Sequence, residues 1–67
     1  MAMSSEDVMR VLGLSSLPSD PADRQELLES TEVLVAKQGE AWVSEHKRLL
    51  RGQYEVFTGV KLNPSEE

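Results

Sequence analysis

Apolar side chains recur at Leu28, Val35, Trp42, Leu49 and Val56, a spacing of seven that runs through Gly39 without a change of phase. Leu27, Leu34 and Ala41 flank one side of this line, and Leu50 and Phe57 the other. A repeat of seven places one residue per two turns on a single face of an α-helix, the pattern of a packing seam. The second seam position is weak, because Thr31, Gln38, Glu45 and Gly52 follow the first four members by three residues. Between Arg24 and Thr58 there is no Pro, Asn or Asp, and Gly39 is the first interior breaker. Continuity predicts one helix across 20–58, with a rod of about 37 residues extending roughly 55 Å. The alternative is a helical hairpin broken near Gly39, which would have to preserve the phase by coincidence. The two readings give opposite signs for Gly39→Ala: a gain approaching 1 kcal/mol in a continuous helix, and a loss where glycine closes a turn.

The ends of the helices are marked by local chemistry. Ser4 is placed to cap a short helix over 4–12, with Asp7 answering as a weak capping box and Met3 stapling against Val8. Gly13 supplies a left-handed stop. Asp20 followed by Pro21 is an N-cap with proline in the first helical turn, where its missing N–H is not needed. Gly59 closes the helical region, and Asn63-Pro64 leads into a tail over 61–67 that is expected to be mobile. The resulting fold class is all-α: a short N-terminal helix plus one long helix, or the hairpin, assembled into an oligomeric helical bundle. Residues 1–67 form a single small domain.

Size enforces the oligomer in this reading. A compact monomer of 7.5 kDa buries only about 60 % of its extended surface. With no cysteine neither a disulfide nor a thiolate metal site can compensate. A stripe of about 55 Å cannot be covered by a ten-residue helix, so a second copy is the economical cover. A homodimer with antiparallel long helices is expected. Its interface candidates are Leu28, Val35, Trp42, His46, Leu49, Gln53, Val56 and Phe57.

Charge narrows the partners. The net charge is -5, all of it from residues 1–36 (seven acids, two bases); residues 37–67 balance five against five. A general nucleic-acid binder needs the reverse. Lys47, Arg48 and Arg51 form the main basic cluster, while Asp23, Glu26 and Glu29 mark an acidic pole. Both groups are candidates for docking a partner. The longest apolar run, Val33-Leu34-Val35-Ala36, is four residues, too short for a membrane span. The N-terminus lacks an export signal, so a cytoplasmic location is expected.

No catalytic arrangement is visible. His46 is the lone histidine and lies one turn from Trp42, a place for a structural hydrogen bond rather than for a metal or a reacting proton. Glu40 and Glu45 are neighbours on an open helix surface and do not face one another. No cofactor or metal is expected, and no enzyme activity. The pattern points to a small homo-oligomeric protein–protein interaction module, an accessory or regulatory subunit. The alternative is a nucleic-acid-associated regulator using the basic helix face.

Overall fold

The computed structural model describes residues 3–65. Chain order is α1 (Ser5–Leu12), β1 (Leu14–Ser16), α2 (Pro21–Gln38), α3 (Glu40–Glu45), α4 (Lys47–Thr58) and β2 (Asn63–Pro64). The Cα envelope measures 26 × 25 × 20 Å, so no rod of 55 Å exists. The accessible surface of 4479 Å² is close to the roughly 4,300 Å² of a compact monomer of this mass.

The all-α, one-long-helix description is therefore corrected in two respects. First, residues 20–58 are three helices. Gly39 adopts φ 94°, ψ 154°, a region open essentially to glycine alone, and the chain turns there. A second break falls at His46 (φ -104°, ψ 18°), with no Gly or Pro to announce it. Its N–H is shared between the carbonyls of Trp42 (3.1 Å) and Val43 (3.2 Å). The ring Nδ1–H donates to the same Trp42 carbonyl at 2.8 Å, and the two rings stack with centroids 4.0 Å apart. A side chain competing for a ladder carbonyl is a recognised cause of a helix kink.

Second, the fold contains a two-stranded antiparallel sheet, with Leu14 opposite Pro64 and Ser16 opposite Asn63. Left-handed Gly13 (φ 67°) ends α1 and turns the chain into an extended segment whose backbone groups need partners. The C-terminal stretch supplies them. Ser65 N–H donates to Gly13 O (2.8 Å), Ser15 Oγ to Asn63 O (3.2 Å) and Asn63 Nδ2 to Ser16 Oγ (3.0 Å). Leu62 is buried, and its N–H donates to Glu55 Oε2 at 2.7 Å. The stretch read as a mobile tail thus returns to the body through residue 65; its last two residues lie outside the described ones.

The capping chemistry is local and follows the sequence. Ser4 Oγ accepts from Asp7 N–H (3.1 Å) and Asp7 Oδ2 from Ser4 N–H (3.3 Å), while Asp20 Oδ1 accepts from Ala22 N–H at 2.8 Å. The core joins Val8, Val11 and Leu12 of α1 to Leu14, Leu27, Val43, Tyr54 and Leu62. Among the described residues no helix is long and apolar enough to cross a membrane.

Two glycines make a signed test. A Cβ at Gly39 would meet nothing within 4 Å, so Gly39→Ala carries only the backbone penalty and should destabilise by about 1–3 kcal/mol. Gly52 sits inside α4 with helical backbone and open space around it, so Gly52→Ala should stabilise by up to about 1 kcal/mol. Urea midpoints of the two variants should move in opposite directions; a shift of the same sign would contradict the break at Gly39.

Arg10 ties α1 to α3, donating to Glu40 Oε1 (2.8 Å) and to Asp7 Oδ1 (3.3 Å). The Arg10 hydrogen bond holds the Glu40 carboxyl below its ordinary pKa. The hydrogen bonds from the Ser4 backbone and from Arg10 do the same for Asp7. Because the folded values are depressed, this stabilisation is present above the ordinary carboxylate range and disappears as pH falls through the folded values. Melting temperature should therefore fall from about pH 5 to about pH 2, with a shallower slope in Arg10→Gln. Parallel curves for the two proteins would remove this role.

Candidate functional site

The seven-residue line is divided by the two breaks. Leu28, Val35 and Trp42 are half-buried against the core, and His46 is half-buried beneath its stack with Trp42. Leu49 is 57 %, Val56 88 % and Phe57 85 % exposed, and Gln53 is exposed beside them. The eight interface candidates therefore do not form one face. The first four belong to the interior of the fold, while the last four lie together on the outside of α4. The expected homo-oligomer rests on a long uncovered stripe; folding covers its first half within the chain and leaves only the α4 portion open.

Polar tethers set the roll of α4. Arg51 is 7 % exposed, and its Nη1 donates to Leu12 O (2.7 Å), an orphan carbonyl at the end of α1, and to Gly13 O (3.2 Å), which also accepts from Ser65 N–H. Tyr54, one turn later, donates its hydroxyl to Asp23 O at 2.9 Å, and Thr58 Oγ1 donates to Tyr54 O at 2.7 Å. At 100° per residue, turning Arg51 and Tyr54 inward turns Leu49, Val56 and Phe57 outward. The inward face of α4 thus mixes Arg51 with Tyr54 and Leu50, while Leu49, Val56 and Phe57 stay outside.

The basic cluster is dispersed by the same roll. Arg51 lies inside, and Lys47 is half-buried, its chain 3.2 Å from where a Cβ on Gly13 would be. Arg48 stays at the surface. The acidic candidates remain near one another on α2: Glu26 and Glu29 are exposed, and Asp23 is half-buried. Glu29 accepts from Gln25 Nε2 at 2.8 Å.

Between α2 and α4 runs a groove of about 350 Å³, floored by Leu12, Leu27, Thr31 and Tyr54. Glu26, Ser30 and Leu34 form one wall, and Leu50, Gln53 and Phe57 the other. A shallower apolar hollow on the outside of α4, formed by Leu49, Gly52, Gln53, Val56 and Phe57, shares Gln53 and Phe57 with it. Among the described residues, Glu26 is the only charged one lining either concavity. Burial raises the pKa of the Tyr54 hydroxyl, and the negative charges of Asp23, Glu26 and Asp20 raise it further.

Leu34 and Leu50 belong to this site although the sequence offered them only as flanks of the seam. Their role depends on a turn that brings two distant segments side by side. Among the described residues no cluster of three acids and histidines is placed to hold a metal ion. No protein-family profile, curated protein or solved structure matches the chain.

Proposed function

We propose that this chain is a small helical protein–protein interaction module, an accessory or regulatory subunit, that acts by burying the α2–α4 face against another polypeptide. The observation that carries the reading is the exposure of Val56 (88 %) and Phe57 (85 %), adjacent residues beside a groove with a buried apolar floor. An aromatic ring held on a helix offers a large, rigid apolar contact, and adjacent exposed apolar side chains mark interaction surfaces. Folding leaves them outside while Arg51 and Tyr54 are drawn in, and such a conflict between local pattern and tertiary arrangement is expected at functional sites. A second copy in a homo-oligomer and a different protein are both polypeptides of this class. The nucleic-acid alternative gains nothing from the fold, since Arg51 leaves the basic face for the core.

The test is a photoreactive phenylalanine analogue placed at Phe57, or at Ser15 on β1 outside the groove, in cells producing the protein. The site at Phe57 should give a discrete polypeptide adduct, and the site at Ser15 should not. An adduct of twice the chain mass identifies the homo-oligomer. No adduct at Phe57, or equal labelling from both sites, would end the reading.

A further inference from the structure

We infer that the occupant of the α2–α4 groove is a cationic amphipathic helix of another protein, lying along α4 with its apolar side on Phe57 and a Lys or Arg facing Glu26. This assignment of the partner's chemistry rests on the interaction-module reading. Shape gives the first part. Helix α4 has 12 residues and so extends about 18 Å, enough for three turns of an opposing helix. Its anchors would then fall at i, i+3 or i+4, and i+7, the spacing of helix-in-groove recognition. Gly52, with open space where a side chain would stand, adds a flat stretch to the outer surface.

Charge gives the second part. Glu26 stands in the groove wall without a basic lining residue near it among those described. Asp23 and Glu29 lie one turn to either side on the same helix. A helix carrying Lys or Arg beside its apolar anchors complements both the apolar surface and the Glu26 carboxylate. A second copy of the chain brings anchors but also a net charge of -5, which opposes pairing at low ionic strength.

The probe is a fluorescein-labelled helical peptide of about 14 residues with Leu and Phe anchors and flanking Lys and Arg. A matched peptide carries Glu at every Lys and Arg position. Both are titrated with the full chain by anisotropy at roughly 0.05 M and 0.5 M salt. The cationic peptide should bind at least about tenfold more tightly at low salt and lose most of that advantage at high salt. Glu26→Lys should weaken it about tenfold, whereas Glu6→Lys, an equal change of net charge on α1, should have less than about a twofold effect. Phe57→Ser should weaken it by about thirtyfold or more, and Val56→Ser serves in its place if the first variant melts abnormally. Equal affinity for the two peptides, equal effects at Glu26 and Glu6, or no binding of the cationic peptide overturns the inference. So does a sedimentation mass of two chains that the peptide fails to dissociate. Any of these leaves the module reading standing, which fails if Phe57 gives no polypeptide adduct in cells or labels no more than Ser15.

Discussion

Arg51→Met should lose about 3 kcal/mol of folding stability, although the substituted residue belongs to a stretch that reads as a solvated basic face. The guanidinium holds Leu12 O at 2.7 Å and Gly13 O at 3.2 Å. Hydrogen bonds from a charged donor are worth about 1.5–3 kcal/mol, and a buried carbonyl left without its donor adds a desolvation penalty. The positive charge also faces the negative end of α1. Methionine retains much of the aliphatic stem, so the loss reports the polar head and not a cavity. A domain this small has only about 3–5 kcal/mol to lose, so Arg51→Met should retain only about 0–2 kcal/mol and melt at a much lower temperature by circular dichroism. Arg51→Lys should recover part of the loss, since an ammonium keeps the charge without the planar fork. Near-wild-type melting of Arg51→Met would mean that the tether does not set the roll of α4.

Leu27→Ala and Val56→Ala form the second large contrast. The seven-residue line and its flanks treat both residues as seam members. In the fold Leu27 is 3 % exposed and belongs to the core cluster, so truncation removes buried methyl groups and leaves a cavity, at a cost of about 2–5 kcal/mol. Val56 is 88 % exposed. Its replacement should stay within about 0.5 kcal/mol, and the better helix propensity of alanine offsets any lost contact. Urea midpoints at low protein concentration measure the difference directly. Comparable losses for the two variants would show that Val56 is buried in solution, which a homo-oligomer closed over α4 would produce.

The sequence by itself determined what depends on a few neighbouring residues. Ser4, Asp7 and Gly13 define the first helix through hydrogen bonds and a left-handed residue within nine positions of one another. Asp20 and Pro21 start α2 in the same local way. The acidic first half, the absence of cysteine and the shortness of every apolar run are properties of composition, and no fold can alter them. The direction of the chain at Gly39 was not determined in this way. A phase of seven is compatible with a straight helix and with a turn, and glycine accepts both backbone conformations. Only the packing of α3 and α4 back against α1 and α2 selects the positive φ.

The tertiary structure decided the candidate site. An apolar stripe on α4 reads as a buried face because burial of such residues is the dominant force available to a helix. Here the Leu12 carbonyl at the end of α1 takes its donor from Arg51, which reaches it with Arg51 and Tyr54 rolled inward. Tyr54 fixes the same roll through the Asp23 backbone, 31 residues away in sequence. The two-stranded sheet likewise joins Leu14 to Pro64, a pairing that period and propensity cannot signal in strands of three and two residues. Contacts within one turn are written in the order of the residues. Which face of α4 meets water is set by hydrogen bonds between groups that only the folded chain brings together.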